Sequence, residues 1–88
     1  MASYKVVLQN QADKTYRWLF RHGRSLHARI RSALQFLQAN PNAGKLLAGS
    51  WKGAWLVRVG VYRIVYRIEK KELLILVLDI GHRREVYR

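Results

Sequence analysis

The order of hydrophobic and polar residues along the chain predicts one short strand, two helices and then three further strands. Residues 4–8 form a short β-prone run. Apolar residues then recur at helical spacing in two successive segments, which Gly23 separates. Asn40 and Pro41 end the second helix, because the residue before a proline is disfavoured in the helical region. The apolar stripes contain Ala12, Tyr16, Leu19 and Phe20 in the first helix, and Leu26, Ile30, Ala33, Leu34 and Leu37 in the second.

After residues 45–53, which are predicted to form a loop, the pattern changes to the two-residue alternation of strands. Gly60 marks a hairpin turn between the first two of these strands. Residues 73–80 are apolar on both faces apart from Asp79, which is typical of a central strand. The alternating positions are Trp55, Val57 and Val59 against Leu56 and Arg58, then Tyr62, Ile64, Tyr66 and Ile68 against Arg63, Val65 and Arg67.

These elements predict a single domain over residues 1–88, since the chain has no internal repeat and no separate linker. The predicted fold class is α+β, with a helix hairpin packed on one face of a mostly antiparallel sheet. The predicted order of elements is β-α-α-β-β-β.

Composition adds a strong cationic character to this fold. Seventeen Lys and Arg residues stand against five Asp and Glu residues, which gives a formal charge of +12, yet 50% of the residues are hydrophobic. A disordered basic tail is excluded, because it would lack the apolar area that offsets chain entropy. A folded domain with this charge repels itself, and an anionic partner would relieve the repulsion.

Several other protein classes are disfavoured. The absence of cysteine excludes disulfides, thiolate zinc sites and thiol catalysis. The longest apolar run, residues 73–78, is far shorter than the roughly 20 residues of a membrane span. No apolar stretch of signal-peptide length follows Met1, so we expect a cytoplasmic protein without a membrane partner. His22, His27 and His82 are too scattered for a metal site, and no cofactor is expected.

The cationic residues suggest chemistry on a phosphodiester. Arg63 and Arg67 share one face of a predicted strand, where arginine offers pairing with phosphate. RNA fits such a site, because its 2′-OH is a nucleophile beside each phosphate, and the few carboxylates argue against a metal. The cations of the two helices are predicted to form a solvated outer face: Lys14, Arg17, Arg21, Arg24, Arg29 and Arg31.

Two segments resemble the RelE/ParE toxin superfamily. Residues 55–66 are similar to its middle-strand motif, and residues 78–87 are similar to its C-terminal signature. The resemblance implies a RelE-like toxin of a type II toxin–antitoxin system. Such toxins enter the ribosomal A site and cut mRNA by metal-free 2′-OH attack, which inhibits translation. The implied partners are a cognate RelB-like antitoxin, the ribosome with its rRNA, and mRNA.

The resemblance also implies site residues. Arg63 falls on the strand arginine that stabilises the phosphate, and Arg58 falls on a basic strand position that lines the site. Arg83 falls on a tail position assigned to charge stabilisation or leaving-group protonation, and Tyr87 on the tyrosine that orients the base or activates the 2′-OH. His82 is a candidate general acid or base, or alternatively a hydrogen-bonding residue of a turn. The expected RNA-binding residues are Lys52, Arg67, Arg84 and Arg88.

The chain departs from the family pattern at two positions. Active nucleases of the family often carry basic residues two and four positions before Arg58, where this chain has Leu56 and Ala54. Lys52, in the preceding loop, is the candidate replacement. Two alternatives therefore stand beside the nuclease: a ParE-like toxin that inhibits DNA gyrase, and a relative that binds RNA without cleaving it.

Overall fold

The computed structural model describes residues 3–82 and contains two helices and five strands. Two 3₁₀ turns, Pro41–Ala43 and Gly49–Trp51, lie in the connection between the helices and the main strands. The helices and strands are β1 (Lys5–Leu8), α1 (Asn10–His22), α2 (Arg24–Ala39), β2 (Lys45–Leu46), β3 (Trp55–Val59), β4 (Tyr62–Glu69) and β5 (Leu74–His82).

The strands form one sheet in the order β1-β5-β4-β3-β2. Only the β1–β5 pair is parallel, and β5 is a central strand, as its two apolar faces predicted. The α+β class and the order of the main elements are confirmed. The one addition is β2, a two-residue strand within the segment predicted to be a loop, where Lys45 pairs with Leu56 and Leu46 with Trp55. A strand of two residues has no periodicity, so its pairing partner defines it.

The helix hairpin packs on one face of the sheet and forms the main core with it. Tyr66 is fully buried there, and its hydroxyl donates to the Pro41 carbonyl at 2.7 Å and accepts from the Gly44 amide at 3.1 Å. These bonds tie the connection after α2 to the middle of β4. Phe20, predicted to lie on the apolar stripe of α1, is 50% exposed, because the sheet reaches Leu19 and Ala12 but not the next face of the helix.

Neither α1 nor α2 lies over the opposite face of the sheet, which we call the open face. A second, smaller apolar cluster lies there, formed by Ala54, Leu56 and Val65 and partly covered by Leu47, Trp51 and Leu78. The loop before β3 therefore covers the middle of the open face, and cationic side chains lie on both sides of this cluster.

A β-bulge in β5 changes which side chains reach each face. Val65 pairs with Asp79 while Tyr66 pairs with Val77, so Leu78 has no pairing partner in β4. Before the bulge, Val77 faces the helices; after it, Ile80 does. One extra residue has thus reversed the alternation for the end of the strand. Within residues 3–82, no helix is long and apolar enough to cross a membrane.

Candidate phosphate-binding site on the open face

The β3–β4 hairpin brings two arginines directly opposite each other. The turn has two residues, Gly60 and Val61, and Gly60 has a φ of +60°, which a glycine adopts without strain. This register pairs Arg58 with Arg63 on the open face. Side chains opposite each other in an antiparallel pair have Cβ atoms only about 4.5–5.5 Å apart, so two permanent positive charges lie close together.

Arg63 is the more enclosed of the two arginines, with only 4% of its surface exposed, whereas Arg58 is exposed. The residue opposite Arg63 in β5 is Gly81, which adds no side chain beside the guanidinium. Asp79, two residues before Gly81, pairs with Val65 and therefore brings a carboxylate to the same face, diagonal to Arg63. The site thus combines a buried guanidinium, an exposed one and one neighbouring carboxylate.

Arg67 and Lys52 meet at the other end of the open face. The Nη2 atom of Arg67 donates to the Lys52 carbonyl at 3.5 Å. A Cβ atom added at Gly53, which has a φ of +88°, would lie 2.9 Å from Nη1 of Arg67, so the guanidinium rests against this turn. Arg63 and Arg67 are four residues apart on one strand, or roughly 13 Å. Arg67, which rests against the backbone of Lys52, therefore forms a second cationic group, separate from the Arg58–Arg63 pair.

The two positions that depart from the family pattern lie between these cationic groups. Ala54 is fully buried and Leu56 is almost so, and both belong to the apolar cluster beneath Leu47 and Trp51. A basic side chain at either position would have to displace that cover. The structure therefore explains why both residues are apolar: the loop before β3 packs on the place where a basic residue would project.

His82 lies on the other face of the sheet from Arg58 and Arg63. It pairs with Tyr62 at the end of β4, and the two rings are 6.0 Å apart at their centroids on the side of α1. The bulge at Leu78 is the cause, because unbroken alternation in β5 would have placed His82 on the open face with Leu76. The structure thus brings Arg58 and Arg63 together but leaves His82 outside their group.

Four predicted site residues, Arg83, Arg84, Tyr87 and Arg88, lie outside the described residues. Among residues 3–82, no group of three or more His, Cys, Asp or Glu side chains is arranged to hold a metal ion.

Sequence reasoning missed a pocket between α1 and the ends of β4 and β5. It has a volume of about 400 Å³, and Lys14, Trp18, Tyr62 and His82 lie around it. The one sequence feature that could have indicated this pocket is Trp18, a large apolar residue of α1 that lies outside the predicted apolar stripe. In the structure, Trp18 is 54% exposed.

Comparisons of the sequence with known proteins identify related toxins. The sequence model of the family described as the ParE toxin of the type II toxin–antitoxin system parDE matches residues 6–87. The toxin RelG of Mycobacterium tuberculosis is 33% identical over 66 residues, which are 74% of this chain and 76% of that protein.

Solved structures of the same fold include free toxins and toxin–antitoxin complexes. The toxin–antitoxin complex RelBE2 from Mycobacterium tuberculosis matches with a TM-score of 0.77 and 29% identity, over 93% of this chain and 100% of that one. The YoeB/ParE toxin from Agrobacterium tumefaciens matches with a TM-score of 0.82 and 22% identity, over 89% and 96% of the two chains. The isolated RelE toxin of E. coli has a TM-score of 0.76 and 23% identity, over 97% and 92%.

The family model covers nearly the whole chain, and the relative from Mycobacterium tuberculosis covers about three quarters of it. The chain therefore belongs to the RelE/ParE superfamily, the toxins of type II toxin–antitoxin systems.

Proposed function

We propose that this toxin is a ribosome-dependent endoribonuclease that cuts mRNA in the A site without a bound metal. In the proposed reaction the 2′-oxygen forms a bond to the adjacent phosphorus and the bond to the 5′-oxygen breaks. The 2′-OH loses its proton and the leaving 5′-oxygen gains one, which gives a 2′,3′-cyclic phosphate and a free 5′-OH. Negative charge on the phosphoryl oxygens must be stabilised in the transition state.

The main support for this proposal is that Arg58 in β3 lies directly opposite Arg63 in β4. Like charges directly opposite in a sheet reduce stability. An anion bound between them reduces the repulsion beyond what the Asp79 carboxylate, diagonal to Arg63, already offsets, and it accepts hydrogen bonds from both side chains. A phosphodiester is an anion that could bind in this way, and the burial of Arg63 holds its guanidinium in place.

We propose that residues of the C-terminal tail, after His82, carry out the proton transfers. Arg83 would stabilise charge or protonate the leaving oxygen, and Tyr87 would orient the base or activate the 2′-OH. The sheet separates His82 from the Arg58–Arg63 pair, so the proposal assigns His82 no proton transfer at this phosphate. Lys52, Arg67, Arg84 and Arg88 are proposed to contact RNA phosphates, which would make ribosome binding strongly salt-dependent.

We further propose that residues 1–88 act as one toxin domain in the cytoplasm, where ribosomes are found, and that a cognate RelB-like antitoxin neutralises it. Three of the similar solved structures are toxin–antitoxin complexes. A partner that covers the toxin would also reduce the self-repulsion of a chain with a net charge of +12.

A second candidate function is inhibition of DNA gyrase by protein binding. The matching family model is that of ParE toxins, and Ala54 and Leu56 stand where active nucleases of the family often carry basic residues. A third candidate is RNA binding without cleavage, for which the same two apolar residues are the argument. Neither function needs a pair of guanidinium groups aimed at one phosphate.

Controlled expression in bacterial cells without antitoxin separates these functions. We expect the wild type to stop translation and growth, and Arg58→Gln to lose most of this toxicity. Arg21→Gln is the matched control, because Arg21 is an exposed arginine in the last turn of α1, away from the open face. DNA breaks with SOS induction and continued translation would instead indicate the gyrase inhibitor. Ribosome binding without mRNA cuts would indicate the non-cleaving relative.

A further inference from the structure

The pocket between α1 and the ends of β4 and β5, which we call the aromatic pocket, has the chemistry of a nucleobase site. Three residues that line it, Trp18, Tyr62 and His82, carry aromatic rings, and Lys14 is part of the same lining. Trp18 is 54% exposed and, unlike the equally exposed Phe36, lines a pocket together with two other rings, those of Tyr62 and His82. An aromatic side chain left open in this way offers a face on which a base can stack.

Two sets of contacts hold the aromatic pocket in shape. The indole of Trp18 packs against the ring of His22, with centroids 4.8 Å apart. The side-chain amide of Gln11 donates to the Ile80 carbonyl at 3.3 Å and accepts from the Ile80 amide at 3.1 Å, which joins α1 to β5 at the base of the pocket. A preformed site loses less entropy on binding than one that must be ordered by its ligand.

The lining favours a nucleotide over an acidic protein segment. Single-stranded nucleic acid binds where aromatic side chains stack with bases and cations follow the backbone, and the aromatic pocket offers both. Lys14 is its only charged side chain among the described residues, and it can reach one phosphate. A carboxylate-rich peptide would need more than one cation, and no other described cation of the helices lines this pocket.

The position of the aromatic pocket connects it to the proposed cleavage site. The pair Tyr62–His82 is adjacent in register to the pair Arg63–Gly81. Adjacent residues of a strand project to opposite faces, so the two sites lie back to back at the same end of the sheet. A single strand whose phosphate lies on Arg58 and Arg63 can pass over this end of the sheet and bring a neighbouring base to Trp18.

We infer that the aromatic pocket binds a nucleobase of single-stranded RNA, adjacent to the phosphate held by Arg58 and Arg63. The inference deepens the proposed function, on which it rests, by assigning a base-binding subsite on the helix-covered side of the sheet. The same stacking would make the subsite tolerant of base identity, because every base has a π-face.

The first test measures the affinity of the full-length toxin for a labelled single-stranded oligoribonucleotide by fluorescence anisotropy at fixed salt. The 2′-OH groups are replaced by 2′-O-methyl groups, so that no cleavage occurs. Loss of one base-stacking contact predicts roughly tenfold weaker binding for Trp18→Ala. Phe36→Ala is the matched control, because Phe36 lies on α2 and is about as exposed as Trp18, at 58%. The affinity of this variant for the oligonucleotide should stay within about twofold of that of the wild type.

The second test moves a single abasic site along the same oligonucleotide. We expect base removal at one position to weaken binding by the wild type but to have little effect on Trp18→Ala, since both changes remove the same contact. Equal affinities of Trp18→Ala and Phe36→Ala, or additive effects at every position, would overturn the inference. So would loss of antitoxin binding by Trp18→Ala with RNA affinity unchanged, which would identify a protein-docking site.

Failure of the proposed function gives a different result. A toxin that binds the oligonucleotide through Trp18 but cuts no mRNA on ribosomes would contradict the cleavage proposal and leave the base-binding subsite in place. If the toxin cuts mRNA on ribosomes but Trp18→Ala binds the oligonucleotide as tightly as the wild type, the base-binding subsite is wrong and the cleavage proposal stands.

Discussion

Gln11 in α1 acts as a strand neighbour for Ile80 in β5. Its side-chain amide makes two hydrogen bonds with the Ile80 backbone, one as donor and one as acceptor. The last partner that β1 offers to β5 is Val77, whose carbonyl accepts from the Gln9 amide. Beyond that point Gln11 supplies the missing pairing, and so fixes the end of β5 that carries Gly81 and His82.

Replacement of Gln11 by Met should lower the free energy of unfolding by about 1 kcal/mol, because both hydrogen bonds to Ile80 are lost while the chain length is kept. Urea denaturation followed by far-UV circular dichroism measures the change. Gln35→Met is the control, since Gln35 is an exposed residue of α2, and it should change stability by much less. Equal losses in the two variants would show that the Gln11 contact contributes nothing.

Arg58→Gln should make the fold more stable while it weakens function. The substitution removes a positive charge directly opposite Arg63, and we expect a gain of about 0.5 kcal/mol in the free energy of unfolding. The gain should shrink as salt is added, because salt screens the repulsion. Thermal or urea unfolding at low and high ionic strength checks both statements. If Arg58→Gln is less stable than the wild type at low salt, the two guanidinium groups do not repel each other.

Leu73→Gly should stabilise the turn between β4 and β5. Leu73 has a φ of +56°, a left-handed conformation that costs a residue with a Cβ roughly 1–2 kcal/mol. The larger chain entropy of glycine in the unfolded state offsets part of the relief, so we expect a net gain of about 0.5 kcal/mol. Leu73→Ala keeps the Cβ and should show no gain. Identical unfolding midpoints for the two variants would contradict the strain.

The stability of the helix hairpin should fall in mild acid. Burial lowers the pKa of His27 below its ordinary value of 6.5, and the positive charges of Arg31 and Arg24 lower the pKa further. The ring is packed against Tyr16 and Phe20, with centroids 4.2 and 5.2 Å away. The unfolded chain therefore takes up the proton first, and the free energy of unfolding declines as the pH falls below about 6.5.

His27→Phe should flatten this dependence, because it keeps a ring beside Tyr16 and removes the titrating group. Urea midpoints between pH 7.5 and pH 5 provide the measurement. The control His22→Phe changes an exposed histidine of α1 and should retain the slope of the wild type. An unchanged slope in His27→Phe would show that another group is responsible.

Local alternation predicted the open face well and the end of β5 poorly. The two-residue period alone predicts that Arg63 and Arg67 share one face, and the uninterrupted pairing of β3 with β4 adds Arg58 to that face. His82 could not be assigned in this way. The bulge at Leu78 is set by the pairing of β5 with β4, and one extra residue exchanges the two faces for everything that follows.

The same distinction applies to Ala54, Leu56 and Phe20. The sequence shows that Ala54 and Leu56 are apolar, but only the packing of Leu47 and Trp51 shows why. Helical spacing places Phe20 beside Leu19, yet the width of the sheet decides which of the two is covered. Contacts between segments distant in the chain, rather than local propensity, determine these outcomes.

Cleavage of ribosome-bound mRNA by purified toxin is the most direct measurement of the central claim. The template carries a 2′-deoxy substitution at the nucleotide whose 2′-OH attacks, and Arg58→Gln and Arg21→Gln are compared with the wild type. We expect the wild type to cut in the A site and leave a 2′,3′-cyclic phosphate end, and not to cut the 2′-deoxy template. Arg58→Gln should cut about a hundredfold more slowly than the wild type, and Arg21→Gln at the wild-type rate. Cleavage of the 2′-deoxy template, or equal rates for Arg58→Gln and Arg21→Gln, would contradict the proposed function.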